Sequence, residues 1–160
     1  MKGPWLLPFV VASFAALMVA IMGATITDLG PWYQALAKPS WTPPDPLFPI
    51  VWTIVYALLT VAGVTAWRDA PTSLHSQGLI GLFAFNAFLN IGWSVLFFRF
   101  QRPDWALYAL VALWLSTLAT TVYCGRFSRN AGLTLAAYLA WLTLLTGLNW
   151  AITDLNGPFG

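Results

Sequence analysis

The residues in this chain that could do chemistry are aromatic rings and neutral amides rather than acids and bases. Trp52 and Tyr56 stand four apart, and Leu59 and Gly63 continue their line. Asn86, Asn90, Trp93 and Phe97 follow one another at steps of three and four, as do Tyr138, Trp141, Leu145 and Asn149. Such steps place side chains on one face of a helix. Three helices would therefore each carry a stripe that mixes aromatic rings with polar groups. A surface of this kind suits a flat, apolar molecule. The rings supply stacking and edge contacts, and the few amides fix orientation. The alternative is that the Asn side chains only tie helices together.

Acid–base and metal chemistry have little to work with. The long apolar stretches hold no Asp, Glu, Lys, Arg or His. A proton-coupled transporter or ion pump usually keeps an ionisable group at mid-membrane. A metal centre needs clustered His, Cys, Asp or Glu, whereas His75 and Cys124 are each the single residue of their type. No metal site, no haem held by axial ligands and no intrinsic cofactor is expected. Met18 and Met22 read as packing groups. No nucleophile–base pair is visible, and one cysteine excludes an intramolecular disulfide.

Stripes of this composition need a membrane around them. Of the 160 residues 59% are hydrophobic and 8% charged, against roughly 25% charged in soluble domains. Seven Lys and Arg with five Asp could not cover a soluble surface. The chain is read as an integral membrane protein with a single domain over residues 1–160. A net charge of +2 is too small to suggest nucleic acid as a partner. Lys2 before an apolar run has the look of a secretory leader. The run from Trp5 to Ile26 is long enough to cross a bilayer, however, and no small-residue cleavage site precedes a polar domain.

The expected fold is all-α, a bundle of five transmembrane helices. The spans are placed at Trp5–Ile26, Phe48–Trp67, Leu79–Phe98, Trp105–Tyr123 and Leu133–Ile152. Every charge then falls in a connection or at a span end, which is where the cost of burying it in lipid is avoided. Short connections make successive helices antiparallel neighbours. Ala70–Gln77 is read as a polar turn holding His75, and Asp104 as the N-cap before Trp105. Gly3 and Trp5 suit an interface position. Lys2, Arg68, Arg126 and Arg129 fall on one side and Lys38, Arg99 and Arg102 on the other, so the positive-inside rule decides little. Span-end Trp5, Trp67, Trp105 and Trp150 fit an interfacial belt, while Trp52, Trp93, Trp114 and Trp141 lie deeper.

The first loop is unusual. From Trp32 to Tyr56 it carries Pro39, Pro43, Pro44, Pro46 and Pro49 among three Trp and two Tyr. No helix runs through that proline density. A stiff, extended Trp32–Pro49 loop is expected to lid a cavity between helices before feeding the second span.

The stretch Trp32-Tyr33-x-x-Leu36-x-Lys38-Pro39-x-Trp41-x-Pro43-Pro44 is followed by Phe48-Pro49-x-Val51-Trp52-Thr53-x-x-Tyr56. Together they closely resemble the TspO/translocator protein family, the tryptophan-rich sensory proteins of bacteria and the peripheral-type benzodiazepine receptor of mitochondria. The resemblance continues through Asn90-x-x-Trp93-x-x-x-Phe97-Phe98, Trp105-Ala106-Leu107, Tyr138-Leu139-x-Trp141 and Leu148-Asn149, over nearly the whole chain. It implies a membrane protein of the bacterial cell envelope, commonly a homodimer. It also implies a pocket beneath the first loop for porphyrins and for isoquinoline carboxamide and benzodiazepine ligands.

Carried over by motif, that pocket takes Trp32, Tyr33, Trp52, Tyr56, Asn90, Trp93, Trp141 and Leu145, with Trp41 helping to fold the loop over it. The stripes add Asn86 and Phe97. Two departures stand out. Ala137 replaces a family proline before the fifth-span Tyr-x-x-Trp, and the C-terminal sterol pattern is not satisfied, since Trp150 stands at its Tyr position and no Lys or Arg follows.

Tetrapyrrole binding as receptor, regulator or carrier is the leading functional expectation. Light- and oxygen-dependent porphyrin breakdown, with Trp32 and Trp52 as candidate redox groups, stands beside it, as does passive transport of small lipophilic molecules. No inverted repeat supports the last.

Overall fold

The structure, a computed structural model, describes residues 4–159. Lys2 and Gly3, used above in the charge count and the interface assignment, lie outside the described residues. Helices α1 (Leu6–Ile26), α3 (Leu47–Asp69), α4 (Ser73–Ser94), α5 (Pro103–Gly125) and α6 (Arg129–Asn156) are joined by short connections, and α2 (Pro31–Ala35) is a single turn within the first loop. A π-helical segment, Val95–Arg99, extends α4. Five helices, α4 being counted with its extension, are long and apolar enough to cross a membrane.

The helix ends differ from the sequence reading for identifiable reasons. His75 is not in a turn. Thr72 accepts the backbone N–H of His75 and starts α4 at Ser73, so His75 sits in the first helical turn. Asp104 is not an N-cap either. Pro103 opens α5, where its missing N–H does no harm. Asp104 follows in the first turn, where a carboxylate complements the helix dipole, and pairs with Arg102. Ser128 caps α6, which starts at Arg129, four residues before the expected Leu133. Pro31 opens α2, so the lid contains a helical turn.

The core lies between α4, α5 and α6. Leu110, Leu113, Tyr138 and Leu142 are fully buried there. Helices α5 and α6 approach closely at a pair of glycines, where a Cβ on Gly132 would lie 2.9 Å from the Gly125 Cα. A side chain at Gly132 would force the two backbones apart. Helix α1 contrasts with this core. None of its residues is buried, and it leans against α3 and α4 from outside. Two cavities lie between α1 and the rest of the bundle.

Candidate functional site

A directional chain of hydrogen bonds organises the space beside α1. The Tyr56 hydroxyl donates to Asn90 Oδ1 (3.2 Å), and Asn90 Nδ2 donates to the Tyr138 hydroxyl (3.3 Å). Tyr138 donates to Asn86 Oδ1 (3.4 Å), Asn86 Nδ2 to Thr117 Oγ1 (2.8 Å), and Thr117 to the Leu113 carbonyl (2.8 Å). Each group gives one proton onward, an arrangement in which neighbouring bonds polarise one another. Surrounded by hydrocarbon, these polar groups have no water to turn to, so this mutual satisfaction fixes the rotamers of Tyr56 and Tyr138.

Tyr56 and Asn90 border both cavities and so form a partition. On the loop side lies a cavity of about 540 Å³. Its walls are the C-terminal half of α1, the start of α3, the end of α4 with its π segment, and the last turns of α6. Trp52, Tyr56, Trp93, Phe97, Phe98 and Phe48 supply the rings. Trp52 anchors them: its ring centroid lies 5.7 Å from Tyr56, 6.2 Å from Trp93 and 6.3 Å from both Tyr138 and Trp141. These separations are in the range at which aromatic pairs attract. Asn149 fixes Trp93 by accepting its indole N–H at 3.0 Å, while its own amide donates to the Pro103 carbonyl at 2.8 Å. In the π segment the Phe100 N–H reaches back to the Val95 carbonyl, and both Phe97 and Phe98 reach the wall, their centroids 4.8 Å apart. Such segments recur at functional sites.

The lid is fastened from two sides. The Tyr33 hydroxyl donates to Asp45 Oδ1 (3.2 Å), and Gln34 Nε2 to the other oxygen of the same carboxylate (3.3 Å). Both Tyr33 and Asp45 line the cavity mouth. Lys38 Nζ donates to the Tyr33 carbonyl (2.7 Å) and sits 4.3 Å from its ring centroid. Burial, with the Asp45 charge as a second cause, pushes the Tyr33 phenol up to about 12. At the far end Asn156 of α6 holds Ala37 by a pair of bonds, accepting its N–H and donating to its carbonyl, both at 2.8 Å.

Of the residues expected at the site, Tyr33, Trp52, Tyr56, Asn90, Trp93, Phe97 and Leu145 line this one cavity. Trp32 stands behind the wall with its ring edge against Phe97 (5.8 Å). Trp141 does the same behind Phe48 and Trp52, with its indole N–H buried and without a partner among the described residues. Trp41 is half-exposed and lies along α6 near Gly147. Asn86 borders the second cavity. The sequence reading did not pick out Asp45, Phe48, Phe98, Leu148 or Ile152, nor the α1 wall of Ala20, Gly23 and Ala24. Phe48, Phe98 and Leu148 had a signal, as parts of the family motifs; an isolated acid among prolines has none.

A profile of the TspO/MBR family matches residues 7–155. The chain is 40% identical over 147 residues to the tryptophan-rich protein TspO of Chlorobaculum tepidum, covering 88% of this chain and 90% of that protein. It is 35% identical to protein CrtK of Rhodobacter capsulatus, over 86% of this chain and 87% of that one. To the human translocator protein it is 32% identical over 122 residues, 76% of this chain and 72% of that one.

Proposed function

The chain belongs to the TspO/MBR family, and from that premise we propose that it is a tetrapyrrole-binding protein of a bacterial cell envelope, acting as receptor, regulator or carrier. Its pocket is the loop-side cavity, which also accepts isoquinoline carboxamide and benzodiazepine ligands. One observation carries the reading: six aromatic rings from α3, α4 and its π segment converge on one cavity beneath a fastened lid. A macrocycle with two π faces gains from such walls on each side. Asp45 and Tyr33 at the mouth turn a polar rim toward water, where the charged substituents of a tetrapyrrole would stay solvated.

A second reading, light-dependent porphyrin breakdown, is favoured by one specific placement. Trp52 is on the wall and touches four other rings, whereas Trp32 is not on it. Of the two candidates, Trp52 is then the indole placed to give an electron to an excited ligand, with dioxygen as the oxidant.

One experiment addresses both readings. Protoporphyrin is titrated into purified protein in the dark, and Trp fluorescence is followed. Trp52→Ala is expected to weaken binding by on the order of tenfold through lost stacking. Affinity unchanged in both Trp52→Ala and Trp93→Ala would overturn the pocket. The bound sample is then illuminated in air. Product formation that stops in Trp52→Phe supports the second reading, and formation that continues sinks it.

A further inference from the structure

The second cavity, about 510 Å³, differs from the first in what lines it. It runs beside α1 from Leu7 to Val19, about 18 Å of helix axis at 1.5 Å per residue. Its walls are chiefly aliphatic, with Leu7, Val11, Leu59, Val64, Leu79 and Ile80 prominent. Tyr56, Asn90 and Tyr138 close its inner end. Leu7 and Ile80 on its flank are well exposed, so the groove opens sideways to the bilayer.

Size and lining narrow the occupant. A helix is about 10–12 Å across and would need well over ~1,000 Å³ to lie along this length, so a partner helix does not fit. A flat polycycle would find only Phe83 and Trp67 to stack on before the inner end. A flexible alkyl chain matches both the length and the aliphatic walls.

The outer end adds a charge. Trp67 lines it at the end of α3, and Arg68 is the next residue, one turn beyond Val64 on the same edge. Arg68 Nε is buried, and no hydrogen bond or ion pair to this guanidinium is found among the described residues. A cation with no hydrogen-bond or ion-pair partner among the described residues, at the end of a span beside an aliphatic groove, complements an anionic head on a single alkyl tail.

We propose that the groove between α1, α3 and α4 binds a long-chain fatty acid, with its carboxylate at Arg68 and its methyl end against the Tyr56–Asn90 partition. This assignment is independent of what occupies the loop-side cavity.

The test uses the full chain in nanodiscs of neutral phosphatidylcholine. The probe is palmitate with a photoreactive diazirine at its methyl end. Cross-links are expected on α3 and α4 around Tyr56 and Asn90, and they should be lost on competition with unlabelled palmitate. Moving the diazirine next to the carboxylate should shift them to the neighbourhood of Trp67. Ala16→Phe, which fills the slot, should abolish the labelling. Arg68→Gln should weaken it about fivefold, the worth of one basic residue at a membrane surface, and leave labelling by the methyl ester unchanged. Labelling spread over the outward faces of all helices, or equal in wild type and Arg68→Gln, would overturn the proposal. Arg68 lies at a helix end, so that variant decides the matter even if Ala16→Phe does not fold.

Discussion

The two cavities meet at Tyr56 and Asn90, and beyond that partition they share only the helices that bound them. The loop-side cavity is walled by rings and closed by a lid, whereas the groove is walled by aliphatic groups and opens to lipid. One stripe on α3 serves both. Trp52 and Tyr56 face the first, and Tyr56, Leu59 and Gly63 the second. Helix α1 gives each side small or aliphatic residues and buries none. The contrast therefore arises from α3, with Phe48 and Trp52 on one side of the partition and Leu59 and Val64 on the other, and from α4 and α6, which bring Trp93, Phe97, Leu145 and Asn149 to the first side and Leu79 and Phe83 to the second. A helix face extends the length of a span, and its chemistry can change at a single hydrogen-bonded layer.

The largest effect should come from breaking that layer. Asn90→Leu removes the acceptor of the Tyr56 hydroxyl, which is left in hydrocarbon, and the donor to Tyr138, which keeps only its bond to Asn86. Interhelical bonds in membranes are worth about 1 kcal/mol each, and orphaned groups cost more, so about 2 kcal/mol of stability should be lost. Unfolding of the variant in SDS titrations measures this. Ligand binding on both sides should weaken together. If only porphyrin binding moves, the partition is not shared and the comparison fails.

This layer was also the most legible part of the molecule. In lipid an amide must turn inward, so Asn86, Asn90 and Asn149 marked the inner faces of their helices before any coordinates did. Periodicity gives a face but not a depth. Asn86 is one turn from Asn90 on the same face, yet Asn90 borders both cavities and Asn86 only the second. The same limit applied to Trp141, which shares a stripe with Leu145 but stands behind Phe48 and Trp52. The wall from α1 left no trace, because a helix without amide or charged residues announces no inner face. The lid was legible in its stiffness and not in its fastening. Proline density forecast an ordered loop, but Pro31 as a helix start and Asp45 as a shared acceptor both depend on contacts made across the fold.

A middle-sized effect should sharpen the contrast between a lidded and an open site. Asn156 mimics a strand partner for Ala37, with one bond in each direction. These bonds face water, so Asn156→Ala should cost only about 1 kcal/mol. That cost falls on the closed lid alone. Porphyrin should leave about fivefold faster while its association rate stays near wild type, as stopped-flow fluorescence would show. Palmitate labelling of the groove should not change. Faster loss from both cavities would mean that the lid holds the bundle as a whole and not one site.

The smallest effect concerns pH, and its sign follows from the Tyr33 phenol. Burial and the Asp45 charge raise it from 10.0 to about 12, with Lys38 the cation nearest the ring. The neutral phenol is the donor to Asp45, so a group whose native value is raised contributes fully below the ordinary value. Its contribution is lost as pH climbs through the native one. The lid should therefore hold equally well from neutral pH to about 10 and loosen only between there and about 12. Porphyrin dissociation followed across that range should be flat and then rise. Tyr33→Phe, which has no proton to lose and no bond to Asp45, should dissociate somewhat faster than wild type at neutral pH and show no alkaline rise. The two curves should converge at the alkaline end. A rise of equal size in Tyr33→Phe would assign it to another group and remove the Tyr33–Asp45 contact from the account of how the lid stays shut.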